Sequence, residues 1–183
     1  QATVELVDNG STTMLQSGQS TVAFGEALQF TTVADKEVII TNNGDLTLNL
    51  SGLTNTVAQY FPIVDDDPND GTHKFQDAGG NWVESLTLAS GEQARIFVGQ
   101  DTSNTTLLPV SGTISFSTSD VDKQPFAFDV SGSVKGNFRS LDNGDTGFSP
   151  GNFRVVRGDT RFYGNDYRYQ LPNRSGQASW TFK

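Results

Sequence analysis

The sequence predicts an all-β fold, in which two antiparallel sheets form a sandwich over residues 1–134 and a partial second β domain follows over residues 135–183. Apolar and polar residues alternate with a period of two through the first segment, the pattern of strands that bury one face. No stretch of ten or more residues there has a helical period. Short strands separated by turn residues favour a sandwich, because one sheet alone cannot cover its apolar face.

Nine segments have the alternation of a strand, and turn-forming residues separate them: 3–7, 20–24, 36–42, 46–51, 58–64, 83–88, 92–99, 112–118 and 125–134. In the last two, Ile114 and Phe116 are expected on one face, with Phe126, Phe128 and Val130 alternating on the partner strand. These two segments therefore predict a hairpin with one buried face and one wet face.

The segment "NNGD" at 42–45 is the strongest local signal for a hairpin turn. Asn and Gly tolerate the positive φ angles that a tight hairpin turn requires. We therefore expect the strands at 36–42 and 46–51 to pair with each other.

Composition and charge narrow the classes of function. Residues 1–134 hold 4 Lys/Arg against 17 Asp/Glu, a net charge of −13, whereas residues 135–183 hold 8 against 4, a net charge of +4. An acidic body argues against nucleic acid and anionic membranes as partners, since neutralising phosphates needs clustered cations. The chain has no Cys and no run of 18 apolar residues, so neither disulfides nor a membrane span is predicted. Because it opens with Gln1, we expect a processed product or a segment of something longer.

The order of motifs over residues 4–134 is similar to that of a known family. "VAFGEALQF", "KEVIITNNGDLTLNLSGL" and "YFPIV" precede "SGTISFSTSDVDKQPFAFDVSGSV", which is the most specific part. This order resembles the choice-of-anchor D module, an immunoglobulin-like domain related to Hydin-type repeats and found in large bacterial surface proteins. The resemblance implies an immunoglobulin-like sandwich and an extracellular or cell-surface location. The segment 64–82 departs from the family pattern by being longer and more acidic.

The last 49 residues carry different motifs. "LDNGDTGF", "FYGNDYRYQL" and "ASWTFK" resemble the opening of golvesin-like domains, which are related to the carbohydrate-binding-like modules of xanthan lyases. Further strands follow these motifs in that family. The resemblance therefore implies that residues 135–183 are the N-terminal part of such a domain. The alternative is a strand-exchanging tail.

The segment "DDDPNDG" at 65–71 is a candidate metal site. Asp65, Asp67 and Asn69 recur at every second position, as ligands do in oxygen-donor calcium loops, and Asp70 follows them. Gly71 stands one place later than in the helix-loop-helix signature, and no flanking helices are evident. The segment therefore predicts either a bound Ca²⁺ or a solvated acidic turn, and no other cofactor is expected.

Aromatic residues in the C-terminal segment are candidates for contact with a carbohydrate or a partner. Tyr163, Tyr167, Tyr169 and Trp180 offer flat ring faces, on which a sugar ring can stack. Because "DYRYQL" and "ASWTF" also fit strand alternation, half of these rings are equally expected in a core.

These observations favour a structural module over an enzyme. His73 is the only histidine, it falls in a predicted loop, and no Gly-x-Ser-x-Gly elbow accompanies it, so no catalytic residue is predicted. We expect a non-catalytic spacer or a subunit of a cell-surface fibre or layer within a large exported bacterial protein. The alternative is a carbohydrate-binding or adhesin module that uses the aromatic C-terminal segment.

The expected partners are other copies of the chain or neighbouring modules of the same protein, with polysaccharide as a further candidate. Strand edges left open in residues 135–183 would need cover. The opposite charges of the two segments favour strand addition between copies.

Overall fold

The computed structural model describes residues 1–67, 70–103 and 109–136 in full, and the backbone of four short strands beyond them. The chain divides into two compact units, Gln1–Asn137 and Phe138–Lys183. Among the described residues the only helical element is a 3-10 turn at Val121–Lys123, and no helix is long and apolar enough to cross a membrane.

Two sheets make up the first unit. The first has the order β2-β1-β4-β9-β6-β7 and the second the order β3-β11-β10-β5-β8. Their strands are β1 Ala2–Asp8, β2 Ser11–Met14, β3 Thr21–Leu28, β4 Lys36–Asn42, β5 Leu48–Asn55, β6 Phe75–Gln76, β7 Trp82–Val83, β8 Leu86–Leu88, β9 Gln93–Val98, β10 Val110–Thr118 and β11 Phe126–Lys135.

The strand order is that of an immunoglobulin-like sandwich. When β1, β4, β5, β6, β9, β10 and β11 are lettered A to G, one sheet runs A-B-E-D and the other G-F-C. The predicted fold class is therefore confirmed. One detail differs from a purely antiparallel sandwich, because β3 pairs with β11 in parallel.

Alternate residues of the central strands form the core, as the period of two predicts. In β4 the burial alternates at every residue, with Val38 and Ile40 fully buried. Ile114 lies opposite Phe128 and Phe116 lies opposite Phe126 in the β10–β11 register, and all four are buried, as is Val130. The hairpin and its buried face are therefore confirmed.

The strand predicted at 58–64 is wrong. The amides of Tyr60 and Phe61 both donate to the carbonyl of Val57, at 2.9 and 3.0 Å, which closes a tight turn. Ile63 makes only an isolated bridge to Val98. Phe61 and Ile63 are both buried in the core. The apolar alternation therefore reflects a turn whose apolar side chains pack between the two sheets.

The segment predicted as one strand at 83–88 is divided between the sheets. Its first residue belongs to β7 of the first sheet, whereas β8 pairs with β5 of the second. The short strands β2 and β6 lie outside the predicted segments; all four residues of β2 are exposed, so no burial pattern marks it.

The hairpin predicted at "NNGD" is also wrong, because this turn carries the chain from the first sheet to the second. Asn42 is fully buried and its Nδ2 donates to the carbonyls of Leu46 and Leu88, at 2.8 and 3.0 Å, while its Oδ1 accepts from the amide of Gly44. A Cβ on Gly44 would collide with the backbone nitrogen of Gln1. Asn and Gly are therefore required for a buried polar junction and a close approach, and not for hairpin φ angles.

Asp120 connects the β10–β11 turn by a hydrogen bond to β1 of the other sheet. Its Oδ2 accepts from the amide of Ala2 at 2.7 Å, and its Oδ1 accepts from the amide of Asp122 at the start of the 3-10 turn. Lys123 Nζ donates to the carbonyl of Ala2. The hydrogen bond from Ala2 is the main reason why the pKa of Asp120 lies below its ordinary value.

The described residues of the second unit form two antiparallel strand pairs. Strands β12 (Phe148–Ser149) and β15 (Ser179–Trp180) form one, and β13 (Arg154–Arg157) and β14 (Asp166–Tyr169) form the other. Its assignment as the start of a golvesin-like domain stays a prediction.

Truncation of one buried aromatic side chain should lower the stability of the fold. Phe128→Ala is expected to lower the free energy of unfolding by about 3–5 kcal/mol, because it leaves a cavity between two packed sheets. Leu46→Ala is the control, since Leu46 is 84% exposed, and should change that free energy by less than about 0.5 kcal/mol. Urea denaturation measures both, and equal effects would contradict the core as described.

We expect the Asp120 carboxylate to contribute to the loss of folding stability at acid pH. A group whose pKa is lowered by folding stabilises the protein above its unfolded pKa, and this stability is lost as pH falls through the lower folded pKa. Asp120→Asn is therefore expected to cost about 0.5–1 kcal/mol at neutral pH, and less near pH 3. Asp122→Asn is the control, because no hydrogen bond to the Asp122 carboxylate is present among the described residues. Urea denaturation as a function of pH measures both, and identical pH profiles for the two variants would contradict the role of Asp120.

Candidate functional site

The acidic loop is organised around a lysine. Lys74 Nζ lies 2.8 Å from Asp66 Oδ1 and 2.7 Å from Asp70 Oδ2. Asp70 Oδ1 also accepts from the amide and hydroxyl of Thr72, at 2.8 and 2.7 Å. The Lys74 hydrogen bond, followed by those from Thr72, holds the pKa of Asp70 well below its usual range, and the two carboxylates raise the pKa of Lys74. Lys74 therefore supplies a cation to one half of this loop.

The other half of the loop contains an unpaired carboxylate. Both oxygens of Asp65 are buried and make no hydrogen bond to a described residue. Asn69 lies outside the described residues. Within residues 1–67, 70–103 and 109–136, no three acidic or histidine side chains are grouped closely enough to hold a metal ion. Calcium binding by Asp65, Asp67, Asn69 and Asp70 thus stays a prediction.

A groove of about 570 Å³ lies along one side of β5, and we call it the β5 groove. Residues 51–55 form one side, and residues 71–73 and 84–85 complete it. His73 lines it together with Glu84, so the one histidine of the chain lies on this surface and not in the core. The other lining residues are Ser51, Gly52, Leu53, Thr54, Asn55, Gly71, Thr72 and Ser85.

A β-bulge coincides with the start of the groove. Ser115 pairs with Thr54 and Ser117 pairs with Ser51, so Gly52 and Leu53 together oppose a single residue of β10. Gly52 has φ +61°, the left-handed conformation that such a bulge favours and that glycine adopts without strain. Strand β8 pairs with β5 only over 48–50, before the bulge. The sequence pattern did not predict this site, although a Gly inside a strand pattern is a signal for a bulge.

The predicted aromatic contact residues lie in the second unit. Tyr167 and Tyr169 belong to β14 and Trp180 belongs to β15, whereas Tyr163 lies outside the described residues. Tyr167 is in register with Val156 of β13. Their predicted contact with a carbohydrate or partner remains a prediction.

The chain is similar to several solved structures, all at low sequence identity. No protein family and no curated protein matches the chain. Among solved structures, the ASH/PapD-like domain of human CEP192 is 11% identical, covers 74% of this chain and 87% of its own, and has a TM-score of 0.43. The N-terminal domain of PorA is 15% identical over 72% of this chain and 97% of its own, with a TM-score of 0.33.

A family 123 glycoside hydrolase from Clostridium perfringens is 13% identical over 67% of this chain, with a TM-score of 0.43, and the match spans only 24% of the hydrolase. The strand order carries the fold assignment, and these likenesses carry no argument about function. The chain thus contains an immunoglobulin-like β-sandwich module, and its membership of the choice-of-anchor D family stays a prediction.

The calcium prediction has a direct test. If the loop binds Ca²⁺ through Asp65 and its neighbours, Ca²⁺ at 100 times its Kd should add about 2.7 kcal/mol of stability and raise Tm. Asp65→Asn should lose this increase, and Asp122→Asn, far along the chain in an exposed turn, should keep it. No heat in isothermal titration together with an unmoved Tm would contradict the prediction.

Proposed function

We propose that the chain is a non-catalytic structural module of a large exported bacterial surface protein, and acts as a spacer or as a subunit of a cell-surface fibre or layer. The observation that carries this proposal is the direction of the first and last strands of the first unit. Other copies of the chain, or neighbouring modules of the same protein, are its partners in this proposal.

The first strand begins at the end of the sandwich opposite to the one where the last strand finishes. The amide of Ala2 is bonded to Asp120, in the turn just before β11. From that turn β11 runs ten residues, about 33 Å, to Lys135. There Lys135 pairs with Leu28, and its carbonyl accepts from the amide of Gln29. A spacer whose neighbours attach at Ala2 and Lys135 would therefore transmit tension along its strands.

Tension in this direction acts on hydrogen-bonded strand pairs in shear. Strand β1 is in register with β4 over Ala2–Val7, and β11 is in register with β3 over Asp129–Lys135. A force parallel to paired strands loads the hydrogen bonds of a ladder together, whereas a force across the strands breaks them one at a time. The arrangement supports a role in bearing tension between modules.

The filled interior supports a non-catalytic role. Phe116 stacks on Phe126 with ring centroids 5.4 Å apart, and Phe75 of the other sheet meets Phe116 edge to face at 5.8 Å. Side chains from both sheets thus fill the space between them, and the β5 groove lies at the sheet edge. The extracellular or cell-surface location rests on the resemblance to choice-of-anchor D modules, and surface labelling of intact cells tests it separately.

Single-molecule pulling tests the proposed role under tension. Because the chain has no Cys, paired Cys substitutions provide unique attachment points. We expect a higher unfolding force for handles at Gln1 and Gly136, at opposite ends, than for handles at Gln1 and Asp122, which lie at the same end and peel strands apart. Equal forces in the two directions, with both variants folded, would contradict the proposal.

A further inference from the structure

We infer that the β5 groove binds an extended, positively charged peptide strand, which adds to the second sheet alongside residues 51–55. This interaction goes beyond the proposed role as a spacer and does not depend on it. The peptide would pair with backbone groups of β5, as in other cases in which a strand is added to an open sheet edge.

Strand β5 has an open backbone edge after residue 50. Strand β10 pairs with one side of β5, and β8 covers the other side only over 48–50. The amide of Thr56 donates to the carbonyl of Thr113 of β10, at 3.1 Å. Because successive residues of a strand direct their backbone groups to opposite sides, those of Leu53 and Asn55 point away from β10. No described strand lies on that side of them.

The shape of the β5 groove suits an extended peptide. Five residues of β5 span about 17 Å, which is the length of an ordinary short strand. The 570 Å³ of the groove lies between this edge and the segments at 71–73 and 84–85. Gly52 carries no side chain and Leu53 points into the core, so both leave the edge accessible. Free edges attract strands unless they are covered, and no described element covers this one.

Negative charge in and beside the β5 groove favours a cationic peptide. Glu84 is exposed in the groove, and the acidic loop that contains Asp66 and Asp70 adjoins it through Thr72 and His73. The ammonium group of Lys74 is bonded to both Asp66 and Asp70 and offsets one of their two negative charges, so one negative charge of this group remains beside Glu84. The whole segment 1–134 has a net charge of −13, which attracts cations over a distance. A strand with Lys or Arg side chains therefore fits the groove.

The composition of the lining favours a peptide over a sugar. Hydroxyl, amide and carboxylate groups predominate, and the imidazole of His73 is the only ring among the described lining residues. Carbohydrate sites use flat aromatic faces for stacking. The unpaired main-chain groups of β5 instead match those of another extended chain.

The test uses the full chain and a seven-residue peptide in which Lys and Val alternate. We expect the peptide to protect the amides of Leu53 and Asn55 from hydrogen exchange, whereas the amides of Thr54 and Thr56, which already face β10, should not change. A peptide of the same charge with alternate backbone nitrogens methylated cannot form the ladder and should not bind. Equal binding of the methylated peptide, or unchanged exchange at Leu53 and Asn55, would overturn the inference.

A matched pair of charge reversals tests the polarity of the groove. Glu84→Lys should weaken peptide binding about fivefold, as expected for the loss of an exposed ion pair. Asp122→Lys makes the same change in net charge outside the groove and should weaken binding much less. Equal weakening by the two variants, or binding of neutral oligosaccharides in the groove without peptide binding, would overturn the inference. Retention of the native Tm in both variants shows that the comparison concerns binding and not folding.

Discussion

The mutual burial of the two sheets is the constraint on which the rest of the structure depends. Without a described α-helix to cover it, each sheet can remove its apolar face from water only against the other. Phe116 shows the closeness of this packing, since it touches Phe126 within its own sheet and Phe75 of the opposite sheet. The alternation of burial in β4, β9, β10 and β11 follows from it. The positions of the connections, edges and loops are therefore determined by how the two sheets pack.

Where the chain crosses from one sheet to the other, buried backbone groups need hydrogen-bond partners. Polar side chains at these crossings supply them. Asn42 satisfies two carbonyls and one amide at the crossing from β4 to β5, at a site fully removed from water. At the same end of the sandwich, Asp120 joins the β10–β11 turn of the second sheet to Ala2 of the first strand, which lies opposite Asn42 in the β1–β4 register. In contrast, the buried oxygens of the Asp65 carboxylate have no hydrogen-bond partner among the described residues. The bulge at Gly52 is a similar departure from regular pairing, and the open edge follows it.

The sequence predicts the periodic parts of the fold and not the parts governed by contacts distant in the chain. Strands β4, β10 and β11 were predictable because apolar residues recur at every second position in each and are buried on one face. The segment 58–64 has the same alternation, yet it turns, since Phe61 and Ile63 fill the core without ladder pairing. Asn42 and Gly44 have local hairpin propensity. Their conformation is instead determined by contacts with residues distant in sequence, namely the backbone of Gln1 and the carbonyl of Leu88. The β5 groove also depends on segments separated in sequence, so its composition alone did not reveal it.

Native-state hydrogen exchange most directly tests the claim that one shared core holds both sheets. If it does, neither sheet can open alone, and the slowest amides of both should exchange through global unfolding. We predict the same opening free energy for Val38 and Ile96 in the first sheet and Phe128 in the second, equal to the free energy of unfolding in urea. The exposed edge strand β2 should exchange faster. Distinct opening free energies for the two sheets, each with its own dependence on denaturant, would contradict the account.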